Sequence, residues 1–175
     1  LIQMSDSWIN IAGRVYAVTC GSSGIGKVIV EELLNNEAIV YNADLNEGDL
    51  KHENLHFVRT DVTNATAVNE LVEQIIVEQH KIDGLVNNAG INLPRLLADV
   101  SVPHGKYEFT EGDFEKMIAV NVKSVFLVSQ AVTHQFEKQN YGVIINMSSE
   151  AGLEGSQGQS VYSATKGAIN GFTRS

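Results

Sequence analysis

The sequence predicts an α/β fold, a doubly wound parallel sheet with helices on both faces. Three observations carry that expectation. Short apolar runs rich in valine and isoleucine alternate with stretches of helical period, and strands covered on both faces read that way. The first run passes straight into a glycine-rich turn and then a helical pattern, "VYAVTCGSSGIGKVIVEELL". The chain has 175 residues, 43% of them apolar, enough for one domain with a substantial core.

The elements follow in order. Strands are expected at residues 14–19 (RVYAVT), 38–43 (AIVYNA), 56–60 (HFVRT), 84–87 (GLVN) and 142–147 (GVIINM). Helices are expected at 25–36, 65–79, 111–138 and from Tyr162 to the end. Residues 91–110 form the longest irregular segment and carry both prolines, so they read as a surface excursion beside a strand end. The pattern "YSATKGAINGFTRS" is still helical at Ser175, with no cap and no following strand. A doubly wound domain normally continues to a sixth strand. Residues 1–175 are therefore expected to be one cofactor-binding catalytic domain, truncated at its C-terminal end, with its last strands absent.

The formal net charge of −9 argues against nucleic acid or an anionic membrane as partner. It leaves room for a small anionic substrate held by one or two local cations. Cys20 is the only cysteine, so no disulfide can form within the chain and a reducing compartment is expected. No apolar run approaches the ~18 residues of a membrane span, so a cytoplasmic protein is expected.

The turn "GSSGIG" is G-x-x-G-x-G rather than the usual G-x-G-x-x-G. Its physics can still serve a dinucleotide. Ser22, Ser23, Gly24, Ile25 and Gly26 would bring backbone N–H groups and a helix N-terminus to a pyrophosphate. Cys20 stands where a glycine is expected. Taken alone, the loop is equally a plain strand-to-helix turn. Asp44, at the end of the second strand, sits where a carboxylate would hold a ribose 2′-hydroxyl and repel a 2′-phosphate. Leu45 follows it, and no arginine is near, so NAD is the expected cofactor.

Tyr162 and Lys166 are spaced i,i+4, on one face of a helix. A cation there favours the phenolate, and Tyr162 would exchange a proton with a substrate hydroxyl or carbonyl as hydride moves. Ser149, thirteen residues earlier at the end of the fifth strand, would hydrogen-bond the reacting oxygen. An exposed i,i+4 pair is the bland alternative for Tyr162 and Lys166.

Together, "TCGSSGIG", "NNAG" from Asn87, "NVKS" from Asn121, "SS" at Ser148–Ser149 and "YSATK" resemble the short-chain dehydrogenase/reductase family, in order and at similar spacing. The resemblance implies a Rossmann-type fold and an active site of Ser149, Tyr162 and Lys166. It adds Asn121 as anchor of a water-mediated proton relay. It also places Asp61 and Val62 beside the adenine and Asn88 near the adenosine ribose, with Ala89 and Gly90 among the cofactor-binding residues. Homo-tetramers or homo-dimers are usual in the family, with helices 111–138 and 162 onward packed between subunits.

Longer strings, "SDSWIN", "NNAGINLPRLL", "HGKYEFTEGDFEKM" and "SSEAGLEGSQGQSVYSATK", resemble the bacterial sorbitol-6-phosphate 2-dehydrogenases within the family. That resemblance implies a polyol phosphate substrate, interconverting sorbitol 6-phosphate and fructose 6-phosphate with NAD. A sugar phosphate needs a cation at the site mouth. Arg95 is the first candidate, followed by His104 and Lys106, each of which can equally be a solvated loop residue. Another short-chain reductase, for a 3-oxoacyl thioester for instance, and a non-catalytic NAD-binding scaffold are the rival readings.

Three positions depart from the family's glycines: Cys20, Glu37 and His80. The last two fall where a helix end often needs a left-handed residue. Asn36 is expected to take that conformation in place of Glu37. His52 and His56 lack a third ligand nearby and read as surface residues rather than a metal site.

Overall fold

A computed structural model of the chain describes residues 10–100 and 105–175. Its five strands are β1 (Val15–Thr19), β2 (Ile39–Asp44), β3 (Leu55–Arg59), β4 (Gly84–Asn87) and β5 (Val143–Asn146). They pair in the order β3-β2-β1-β4-β5, every neighbour parallel. The helices are α1 (Gly24–Asn35), α2 (Ala65–Gln79), α3 (Glu111–Ile118), α4 (Ser124–Gln139), α5 (Ala151–Glu154) and α6 (Ser160–Arg174). The expected elements are present, each within a residue or two of its expected bounds save where noted here. Short α5 was not foreseen.

Two apolar layers hold the sheet. On one face, Val15, Ala17, Tyr41 and Leu85 pack with Leu71, Val72 and Ile75 of α2 and with Val128 and Val132 of α4. On the other, Val18, Val40 and Val86 pack with Val30 and Leu34 of α1. Alternate strand residues thus feed opposite faces, as the pleat requires. Among the described residues β5 pairs with β4 alone. Val143 and Ile145 of β5 are half-exposed, while Ile144 turns to the α2–α4 layer.

The single helix expected over 111–138 is interrupted. Between α3 and α4 lies one π-helical turn, Ala119–Lys123, with Asn121 at its centre. Extra residues in a helical turn widen it locally, and such turns recur where a side chain must be re-aimed. Upstream, Thr110 and Asp113 cap α3 reciprocally, Thr110 Oγ1 accepting from Asp113 N at 3.1 Å.

All three missing glycines leave their backbone conformation behind. Cys20, Glu37 and His80 have φ of 54°, 63° and 61°, and Asn140 joins them at 59°. The expectation that Asn36 would relieve Glu37 does not hold: Asn36 has φ −98° and Glu37 takes the left-handed place. The reason lies in the helix end, where Asn36 N still bonds back to Glu32 O and Leu33 O, so the reversal falls one residue later. At the glycine-rich turn it is Cys20 itself, not the following Gly21, that takes the left-handed conformation.

Candidate active site

From β1 the chain winds outward through β2 to β3, and from β4 it winds the other way to β5. The carboxyl ends of β1 and β4 therefore flank a topological switch point, where open α/β sheets form a crevice. The glycine-rich turn, "NNAG", Ser148–Ser149 and the Tyr162–Lys166 segment meet at this end, while "SDSWIN" lies, but for Asn10, outside the described residues.

The glycine-rich turn joins β1 to α1, and β2 holds it in shape. Buried Asn42 accepts from Gly21 N at 2.9 Å through Oδ1 and donates through Nδ2 to Ser22 Oγ at 2.9 Å. Asp44 accepts from Ser22 N at 3.1 Å and from Asn46 N at 3.2 Å. Ser22 Oγ donates to Asn46 O. Ser22's N–H is thus spent inside the protein rather than offered to a ligand. Gly26 is required by contact: a Cβ there would lie 2.1 Å from Cys20 O and 2.5 Å from Asn88 Nδ2. Burial and the Asp44 charge push the Cys20 thiol up to about 11.

The "NNAG" segment braces the same turn. Thr19 Oγ1 accepts from the N–H groups of both Asn88 and Ala89 at 2.9 Å. Asn88 Nδ2 donates to Thr19 O and Cys20 O, each at 3.1 Å. Asn88 is first of all a strut between β4 and the turn. Asn87 Nδ2 donates to Ser129 Oγ at 3.0 Å and Asn146 Oδ1 at 2.8 Å, tying β4 to α4 and β5.

Tyr162 and Lys166 line a cleft of about 210 Å³ together with Ile25, Asn88, Gly90 and Ser148. The turn, "NNAG" and α6 thus meet in one place. Lys166 is buried; its Nζ donates to Met147 O at 2.7 Å and lies 5.7 Å from the centre of the Tyr162 ring. Desolvation lowers the Lys166 pKa from its ordinary value. Asn121 is buried with both Nδ2 hydrogens spent. Oδ1 accepts from Ile91 N at 2.8 Å, and Nδ2 donates to Ile91 O at 2.9 Å and Thr165 Oγ1 at 3.1 Å. Thr165 Oγ1 in turn donates to Tyr162 O at 2.7 Å, so the π turn sets the register of the Tyr162 helix. Short α5 closes against α6 because residue 152 is glycine; a Cβ there would lie 2.6 Å from Lys166 C.

Ser149 lies next along the chain, in a polar hollow with Glu150 and Glu154, and it is Ser148 that borders the Tyr162 cleft. Ser149 Oγ accepts from Ala151 N at 3.2 Å, which leaves its own proton to donate. Asp61 is turned inward on its own loop, accepting from Thr63 N at 2.9 Å and Thr63 Oγ1 at 2.7 Å; these bonds hold its carboxyl below the usual range. Val62 is 7% exposed and packs in the core, offering an adenine little surface, whereas Leu45 is 54% exposed. Arg95 pairs with Asp113 at 3.2 Å and donates from Nη1 to Lys106 O at 3.0 Å. Lys106 is exposed, and His104 lies outside the described residues.

The crevice fits a dinucleotide. Ser23 caps α1 without a side-chain hydrogen bond, leaving the first-turn N–H groups of Gly24, Ile25 and Gly26 without a cap, as a pyrophosphate requires. Asn42, Thr19 and Thr165, which fix these parts, escaped the sequence reading; a polar residue inside an apolar strand or on a buried helix face was the available signal. Among the described residues no cluster of His, Cys, Asp or Glu could hold a metal, and no helix is long and apolar enough to cross a membrane.

Residues 14–175 match the short chain dehydrogenase family. The chain is 53% identical to the sorbitol-6-phosphate 2-dehydrogenase of Klebsiella pneumoniae over 97% of its own length. It is 36% identical to the 3-oxoacyl-[acyl-carrier-protein] reductase of Chlamydia pneumoniae over 95% of its length. The crystal structure of gox2181 superposes with a TM-score of 0.83 at 29% identity, covering 94% of this chain and 65% of that one. The chain spans 64% of the length of the Klebsiella relative and 67% of the Chlamydia relative. With its parallel sheet, switch-point crevice and Tyr162–Lys166 helix, this chain belongs to the short-chain dehydrogenase family.

Proposed function

We propose that this chain forms the cofactor-binding and catalytic part of an NAD-dependent sorbitol-6-phosphate 2-dehydrogenase. The observation that carries the reading is the meeting of Tyr162, Lys166 and the glycine-rich turn at one cleft. The 53% identity to the Klebsiella enzyme supports the substrate.

When bound, NAD supplies the hydride acceptor and a positive ring near the site. Tyr162 Oη takes the proton of the substrate hydroxyl, or returns it to the carbonyl in reduction. Buried Lys166 keeps a positive charge beside the phenol, which favours the phenolate; two of its three N–H donors remain once Met147 O is served. Ser149 donates its proton to the reacting oxygen. Asn121 clamps Ile91 and, through Thr165, orients Tyr162; its Nδ2 has no hydrogen left for a relay water.

NAD over NADP follows from charge. Asp44 stands at the end of β2 with Glu47 and Asp49 close behind, and the one lysine of the turn, Lys27, is held by Asp49 at 2.7 Å. A 2′-phosphate would meet these carboxylates, and the cation nearest in register is Arg59, opposite Asp44 on β3, which would offset them only in part. This disfavours the second reading, a 3-oxoacyl reductase, which the Chlamydia relative motivates. Phe114, Phe126 and Phe172, on α3, α4 and α6, are each more than two-fifths exposed, which supports burial against a second copy in a dimer or tetramer. A cytoplasmic location suits the single unpaired cysteine.

The test is to mix the full-length protein with fructose 6-phosphate and NADH or NADPH and follow absorbance of the reduced cofactor. NADH oxidation is expected; bound NADH without turnover would favour a scaffold. Tyr162→Phe should lose at least about a thousandfold in kcat and keep its NADH affinity. A Tyr162→Phe enzyme that stays active removes Tyr162 as the proton donor.

A further inference from the structure

The start of α6 is bordered by three hollows that share residues. The first is the cleft of Tyr162, Lys166 and Asn92. The second, about 370 Å³, holds Ser149, Glu150, Glu154 and Gln159. The third, about 280 Å³, holds Arg95, Tyr107, Gly158 and Gln159. Gln159 belongs to both the second and the third, and Asn92 Nδ2 donates to Gln159 Oε1 at 3.2 Å, joining both to the first. A substrate reacting at Tyr162 can therefore extend two ways.

The two ways differ in charge. The Ser149 hollow carries two carboxylates, Glu150 and Glu154, and no cation lines it. A phosphate dianion there faces like charge, whereas hydroxyl groups find acceptors. The other hollow has Arg95, and Lys106 Nζ lies 5.6 Å from the centre of the Tyr107 ring that forms its wall. Arg95 is also held in place. Its N–H donates to Gly158 O at 3.1 Å, and Leu96 N donates to Tyr107 O at 2.7 Å, closing the excursion onto the head of α6. Arg95 Nε, 3.2 Å from Asp113 Oδ2, is buried yet makes no aligned hydrogen bond. The capping carboxylate thus orients a guanidinium whose five donors are far from used up.

Resting on the substrate reading above, we infer that the phosphate of the substrate sits in the Arg95–Tyr107–Gln159 hollow while its hydroxymethyl end points to Glu150 and Glu154. Oxidation at carbon 2 divides the polyol into a short hydroxymethyl arm and a long phosphorylated arm. The acidic hollow accepts the first and rejects the second. One orientation is then favoured over its reverse by attraction at one end and repulsion at the other, which fixes the carbon that is oxidised.

The test uses the full-length enzyme with NADH and compares fructose 6-phosphate with fructose. In Arg95→Gln the ratio of kcat/KM for the phosphorylated over the plain sugar should fall roughly 10- to 100-fold, the worth of one charge-assisted contact, mostly through KM. Arg95→Lys should recover part of it. Inorganic phosphate, competing with fructose 6-phosphate in the wild type, should compete more weakly in Arg95→Gln. Simple loosening of α3 would depress both sugars together and leave the ratio unchanged, which would overturn the assignment. So would a Glu154→Gln enzyme whose ratio moves further than that of Arg95→Gln. If the wild-type enzyme does not oxidise NADH with fructose 6-phosphate at all, the substrate reading itself falls.

Discussion

Replacing Glu37 and His80 by glycine should stabilise this protein, and the size of the gain can be worked from the backbone. Both residues hold a left-handed φ, 63° and 61°, Glu37 two residues past the end of α1 and His80 directly after α2. Both are exposed, and neither side chain makes a hydrogen bond or ion pair, so truncation removes no contact. A non-glycine residue in this conformation costs about 1–2 kcal/mol. Glycine returns roughly 0.5–1 kcal/mol of that through the greater freedom of its unfolded chain. The net is about 0.5–1 kcal/mol for each site. The two sites end different helices and share no partner, so the double variant should gain about 1–2 kcal/mol. That raises Tm by roughly 2–8 °C for a chain of this size. Urea titration followed by circular dichroism reads it as a higher midpoint at unchanged slope. Two controls sharpen the test. Asn140, at φ 59°, tolerates the conformation through its short amide, so Asn140→Gly should gain clearly less. Cys20→Gly relieves the same strain but gives up a side chain packed on the core, so it should come out near neutral in stability and change NAD affinity only modestly. Loss of stability in both Glu37→Gly and His80→Gly, or an Asn140→Gly gain equal to theirs, refutes the strain account.

Two further outcomes follow from the turn. Asn42→Ala leaves the buried Gly21 N–H without its partner, which costs about 1–3 kcal/mol, while Ser22 Oγ loses one donor but keeps its bond to Asn46 O. Melting temperature and NADH affinity, measured by calorimetry and fluorescence, should fall together; unchanged affinity would mean the turn is shaped by something else. The Cys20 thiol is raised from 9.0 to about 11, first by burial and then by Asp44. Its native-state alkylation by iodoacetamide should therefore be slow at pH 8 and still climbing at pH 10, while the unfolded chain levels off above 9. The linkage has a definite sign: a thiol kept neutral by the fold supports stability below pH 9 and loses that support as pH rises from 9 toward 11. A native alkylation rate that plateaus at pH 9 contradicts the burial.

The inner strands β1, β2 and β4 were readable because they are buried on both faces, which forces runs such as "VYAVT" and "GLVN" with little polar interruption. The Tyr162–Lys166 pair was readable because one helical turn brings i and i+4 together wherever the helix lies. The π turn was not, since its cause is non-local: Asn121 reaches across to both backbone groups of Ile91, thirty residues away in sequence, and nothing in "AVNVKS" announces that partner. Nor was the division of Ser148 and Ser149 between two hollows, which depends on how α5 seats against α6 at Gly152.

The polar residues inside apolar elements carry the part of the site that periodicity could not show. Asn42 in β2, Asn87 and Asn88 at the end of β4, and Asn121 in the π turn stand where the pattern alone asks for valine or leucine. Asn42, Asn87 and Asn121 are buried and Asn88 half-buried; a buried amide left unpaired costs more than the packing it displaces, so each is spent on a partner. Three of the four are spent on backbone that a ligand would otherwise have to order: Asn42 on Gly21, Asn88 on Thr19 and Cys20, Asn121 on Ile91. The crevice is therefore shaped before any cofactor arrives, and the binding energy of the dinucleotide need not be used to fold its own loop. This is also why a cysteine can stand at the first glycine's place. The turn is held from β2 and β4, at Gly21 and at the carbonyls of residues 19 and 20, so the left-handed conformation of Cys20 is imposed by its neighbours rather than chosen by its side chain.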